Sequence, residues 1–202
     1  MDMKKLLLFL IFYNIVNCYS QTSEEYFKRG YLKDSLRDYH GSIADYSMAI
    51  KLNPKYADAY YDRAIAKDEL LDYIGVIQDL NKVIAINPHS ANAYYNRGVA
   101  KVRLQDYRGA ITDYNKAIKD NPKDADMYNN RGAAKANIKD YRGAIEDLTK
   151  AIKLNPNIST AYYNRGIDKI KLKQKSSGCL DLSKAGELGN EDAYDMIRKY
   201  CN

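Results

Sequence analysis

Apolar residues recur at helical spacing in two stretches of every 34 residues, and four prolines mark the period: Pro54, Pro88, Pro122 and Pro156. Each follows an asparagine, Asn53, Asn87, Asn121 and Asn155. A period of this length is the signature of a repeat array and is read before any local motif. With the proline at position 32, the copies are 23–56, 57–90, 91–124, 125–158 and a degenerate 159–192. The first stretch covers roughly positions 2–14, with apolar residues mostly at 4, 8, 10 and 14. The second covers roughly 17–30, with apolar residues mostly at 17, 20, 21, 24, 27 and 28. Both spacings predict amphipathic helices. Between them, Asp38, Asp72, Asp106 and Asp140 stand where an N-cap is needed. The Asn-Pro pair stops the second helix, since Asn tolerates a left-handed turn and Pro cannot continue a helix.

The residues behind this pattern resemble the tetratricopeptide repeat. Tyr fills the first aromatic position (Tyr26, Tyr60, Tyr94, Tyr128, Tyr162), and Gly or Ala fills position 8 (Gly30, Ala64, Gly98, Gly132, Gly166). Small residues recur at positions 20 and 27, and the period ends on Pro. The resemblance implies an all-α solenoid of about five antiparallel helix hairpins wound in a right-handed superhelix. Residues 193–202 restart the pattern with Ala193-Tyr194 and are expected to form a closing helix that caps the last hairpin.

Positions 7 and 11 depart from the family pattern. Position 7 is always Arg (Arg29, Arg63, Arg97, Arg131, Arg165) and position 11 always Lys (Lys33, Lys67, Lys101, Lys135, Lys169). Both fall on the packing face, where an unpaired cation is prohibitive. Position 23 of the second helix is always Asp. The expected structural pairs are therefore Arg29 with Asp45, Arg63 with Asp79, Arg97 with Asp113, Arg131 with Asp147 and Arg165 with Asp181. The lysines are assigned to the helix dipole, since they lie near the end of the first helix. The competing reading makes the ladder a track for anions or nucleic acid.

In the family, the first helix lines the concave wall through positions 2, 5, 9, 12 and 13, with 6 beside them. The resemblance thus implies a peptide-binding groove that includes Phe27, Tyr31, Tyr61, Ile65, Tyr95, Val99 and Tyr163. Asn96, Asn130 and Asn164 recur at position 6, where side-chain amides suit an extended peptide backbone. The alternatives are that the aromatics only pack against the next repeat and that the asparagines are merely tolerated on a solvated face. The carboxylate clamp of chaperone-binding members uses Lys and Asn at positions 5 and 9, which here are mostly aromatic and aliphatic.

Composition and charge add little to this picture. The chain has 202 residues, a net charge of +6 and 29% charged residues, and a ladder that consumes its own cations leaves that basicity weak as evidence for nucleic acid. Residues 1–20 read as a signal peptide: "MDMKK" is basic, "LLLFLIFYNIV" is apolar, and Cys18 and Ser20 stand at −3 and −1 of a cleavage before Gln21. The apolar run is shorter than the roughly 20 residues that span a bilayer, so no transmembrane segment is expected after cleavage. The expectation is an exported protein, periplasmic or secreted, with lipid attachment at Cys18 as the alternative. Cys179 and Cys201 then remain as a candidate disulfide, against a free buried Cys179.

His40 and His89 stand without a recurring nucleophile, and neither a metal-ligand spacing nor a phosphate loop appears. The expected function is a non-enzymatic scaffold for a protein or peptide partner, without cofactor, metal or nucleic acid. The alternative is an anion- or nucleic-acid-binding helical repeat that uses the basic ladder.

Overall fold

The structure is a computed structural model that describes residues 21–201. Residues 1–20, where a signal peptide is expected, lie outside the described residues, and Cys18 with them. Five helix hairpins follow one another: α1 (Ser23–Ser35) with α2 (Tyr39–Leu52), α3 (Ala57–Glu69) with α4 (Tyr73–Ile86), α5 (Ala91–Arg103) with α6 (Tyr107–Asp120), α7 (Ala125–Asn137) with α8 (Tyr141–Leu154), and α9 (Ser159–Lys171) with α10 (Lys175–Glu187). A last helix, α11 (Asp192–Tyr200), packs on α10 and also touches α9. The chain is an all-α solenoid. Its first helices approach one another from α1 to α3, α5 to α7 and α7 to α9, whereas the second helices make no comparable contact. The stack therefore curves with the odd-numbered helices inside.

Small residues set the approach within each hairpin. Gly98 faces the Tyr114 ring, and a Cβ there would stand 2.7 Å from it. That ring and the matching side chains Tyr46, Leu80, Leu148 and Leu182 are buried and fill the seams. Ala49, Ala117, Ala151 and Ala185 line the seams to the next helices and are fully buried.

The turn within each of the first four hairpins does two jobs with one aspartate; in the fifth, Gln174 makes only the backbone bond. The N–H of Asp106 donates to the Lys101 carbonyl and closes α5, while its side chain accepts from the Gly109 N–H and opens α6. Asp38, Asp72 and Asp140 cap α2, α4 and α8 in the same way. This geometry forces the preceding residue into the left-handed region: Arg37, Leu71, Gln105, Lys139 and Lys173 have φ between 60° and 65°. No glycine marks that position, so the sequence pattern did not disclose it.

The Asn-Pro corner differs from expectation. Asn53 has φ −130° and ψ 91°, extended rather than left-handed. A following proline excludes the helical region for the residue before it. The asparagine acts instead through its side chain, whose oxygen accepts from the N–H two residues on, as in Asn53 with Lys55 and Asn87 with His89.

Candidate functional site: an inner wall beside a closed seam

The cations of the packing face are all engaged. Arg97 Nε and Nη2 donate to the two oxygens of Asp113 at 2.9 and 2.6 Å, a bidentate fork. Lys101 Nζ approaches Asp113 Oδ2 at 2.7 Å. The same three-residue node forms in each hairpin, with Asp45, Asp79, Asp147 and Asp181 each taking one Arg and one Lys. The lysines are thus more than dipole partners. One carboxylate serves two cations because Lys is one turn beyond Arg on the same face.

Each arginine also reaches backwards. Arg63 donates to Ser47, Arg97 to Asn81, Arg131 to Asn115 and Arg165 to Thr149, all on the second helix of the preceding hairpin. Its guanidinium lies 4.9–5.5 Å from the centroid of the tyrosine one turn earlier. The node therefore stitches hairpin to hairpin. The ladder offers no free cationic track.

On the other flank of the odd-numbered helices lies a row of cavities. Phe27, Tyr31 and Leu32 line one of about 500 Å³ together with Lys28 and Asp62. Ile65, Asn96 and Val99 border a small one of about 40 Å³. Tyr95, Val99 and Asn130 line one of about 250 Å³. Tyr163 and Asn164 line one of about 290 Å³ that α11 closes with Met196, Lys199 and Tyr200. Tyr61 does not line any of these cavities. It packs half-buried against the core of its own hairpin.

The asparagines that face the wall are partly spent. Asn96 Nδ2 donates to the Tyr61 hydroxyl at 2.8 Å, and Asn130 Nδ2 to the Tyr95 hydroxyl at 2.7 Å. Position 6 of one repeat thus holds position 5 of the one before it. In the fourth repeat Asn129 replaces the tyrosine, so Asn164 has no hydroxyl at that point to meet.

The inner wall also carries carboxylates that make no ion pair. Burial pushes the Asp62 carboxyl up to about 6, with Asp58 and Asp34 adding repulsion. Burial and Glu69 push Asp34 up, and one of its oxygens is buried without a partner. Asp68 is raised by burial despite Arg103 nearby. At the other end, Asp168 is 3% exposed and burial alone pushes it up to about 7; its Oδ2 has no hydrogen-bond partner. Sequence reasoning missed Asp62 and Asp168. The signal was available: Asp62 stands where Asn recurs, and Asp168 where Leu32, Ala66, Ala100 and Ala134 stand in the earlier repeats.

Cys179 on α10 and Cys201, just after α11, form a disulfide. It fixes the wall that α11 adds to the last cavity. Among the described residues, no helix is long and apolar enough to cross a membrane.

Models of the tetratricopeptide repeat match residues 26–56 and 125–158, and a further TPR-repeat model matches residues 100–139. No match was found among curated protein sequences. Among solved structures, a crystal structure of MamA superposes with a TM-score of 0.77 at 24% identity, over 82% of this chain and 96% of that one. MamA from Desulfovibrio magneticus RS-1 gives 0.79 at 19% identity, over 82% and 94%. YrrB, a TPR protein with an unusual peptide-binding site, gives 0.80 at 18% identity, over 93% and 97%. At such identities the likeness carries the fold, and the repeat models carry the family: the chain belongs to the tetratricopeptide-repeat proteins.

Proposed function

We propose that the protein is a non-enzymatic interaction scaffold that holds a segment of a protein partner along its inner wall. The observation that carries this reading is the division of labour on the odd-numbered helices. One flank spends its charges on closing the seam, while the other leaves aromatic and aliphatic side chains around open cavities. Tyr31 and Leu32 are 60% and 62% exposed on that wall. Contiguous apolar surface of this kind suits burial of a peptide or a partner helix. The unpaired Asp34, Asp62 and Asp68 give the first half of the wall a negative field, which favours a basic segment. YrrB, with the same fold, carries a peptide-binding site, and that likeness supports the reading.

Export belongs to the same proposal. The signal-like residues 1–20 and the Cys179–Cys201 disulfide both fit an oxidising compartment.

The test is site-specific photocrosslinking. A benzophenone side chain placed at Tyr31 or Val99, on the inner wall, is expected to capture partner protein. One placed at Ile74, 62% exposed on a second helix, is not. Equal capture from both faces would overturn the reading.

A further inference from the structure

Among the position-10 residues, Asp168 alone is charged. Ala66, Ala100 and Ala134 are fully or almost fully buried there, against the neighbouring helices. A carboxylate in such a place costs stability unless a cation or donor meets it. None does: Oδ2 is buried without a hydrogen bond, and the two lysines of the same cavity, Lys171 and Lys199, make no ion pair with it. Lys199 rests its ammonium 5.0 Å from the Tyr200 ring centroid instead. The cavity that Asp168 lines has a volume of about 290 Å³, enough for one long side chain. Tyr163 and Tyr200 give it aromatic surface, which attracts cations, and Asn164 adds an amide. The three earlier repeats show that the fold itself needs only Ala at this position.

We propose that this cavity receives a lysine or arginine side chain of a bound segment, the cation meeting Asp168 and an adjacent acidic residue of the segment meeting Lys171 and Lys199. The two lysines repel a lone cation and accept one that brings its own anion. The site would select basic-acidic pairs over purely basic stretches. It rests on the inner-wall reading above and names one anchor for it. The disulfide holds the α11 side of the cavity in place, so the receptor is complete only in the oxidised chain. The titratable groups that line the cavity are Tyr163, Lys171, Lys199 and Tyr200, besides Asp168 itself.

The test uses the isotope-labelled protein at pH 8 and capped tetrapeptides of sequence Ala-Lys-Asp-Ala. Saturating amide shifts on α7, α9 and α11 are expected. Replacing Lys by norleucine, or making Asp168→Ala, should weaken binding by about tenfold or more, the worth of a charge-assisted bond to a desolvated partner. Asp168→Ala copies three other repeats and keeps the fold. Equal binding of the norleucine peptide, or an unchanged affinity in Asp168→Ala, would overturn the proposal. Tighter binding of free lysine than of the peptide would overturn its assignment to a partner segment. If crosslinking at Tyr31 persists while the lysine peptide fails, this anchor falls and the inner-wall reading stands. If lysine binding holds while crosslinking at Tyr31 and Val99 matches that at Ile74, the reverse is true.

Discussion

Asp113 and Asp168 are buried to nearly the same degree, 1% and 3% exposed, yet their surroundings are opposite. Asp113 sits in the seam between α5 and α6 with a bidentate arginine and a lysine on its two oxygens. Asp168 lines a cavity and has one buried oxygen that nothing meets, and burial pushes its carboxyl up to about 7. The depth of burial therefore does not decide whether a buried acid holds the solenoid together. The partners do. Paired acids recur at position 23 of every repeat because the stack requires them, whereas Asp168 stands in one repeat only, at a position where Ala suffices. A residue that costs stability and is spared elsewhere is the kind found at a binding site.

The largest expected effect comes from breaking the paired side. Asp113→Asn leaves Arg97 and Lys101 without their anion in a largely buried seam. It should lower unfolding free energy by about 3–5 kcal/mol in denaturant titration. A loss under about 1 kcal/mol would show that the nodes are decorative.

Reduction of Cys179–Cys201 should cost about 3 kcal/mol by the loop-closure relation, read from the melting midpoint with and without reductant. It should also sharpen the contrast. With α11 released, water reaches Asp168 and its carboxyl should titrate closer to the ordinary range by NMR.

Asp168→Ala should have the opposite sign to Asp113→Asn. A carboxyl whose folded pKa is raised holds its proton better when folded. Its stabilising contribution is full below the unfolded value and is lost as pH rises toward about 7. Relative to Asp168→Ala, the parent protein should thus lose about 4 kcal/mol of stability between about pH 4 and 7 and stay at that lower level above it. Parallel stability curves for the two proteins across that range would refute the assignment.

The smallest change touches neither set of acids. Lys139→Gly relieves a left-handed backbone at φ 65° and should stabilise by about 0.5–1 kcal/mol in the same titration. It serves as the baseline against which the two aspartates are compared.

Much of this was readable from the chain. The 34-residue period placed the hairpins, and the turn aspartates announced their caps. The recurrence of Arg at position 7 with Asp at position 23 announced the seam pairs. Periodic features are legible because each copy repeats the same local and nearest-neighbour physics. Departures from the period were harder. The left-handed turn residues carry no glycine, and Asp62 and Asp168 look like ordinary surface acids until neighbouring helices cover them.

The sequence by itself determined the helices, their order and the need for an anion beside each arginine, since propensity, spacing and charge balance act within one or two repeats. Only the tertiary structure decided that one aspartate takes both cations and that the wall asparagines hold the preceding tyrosines. It also decided that Asp168 lacks a partner in a cavity closed by α11. Those outcomes depend on where side chains from separate hairpins meet and how far water is excluded, which the stacking geometry alone sets.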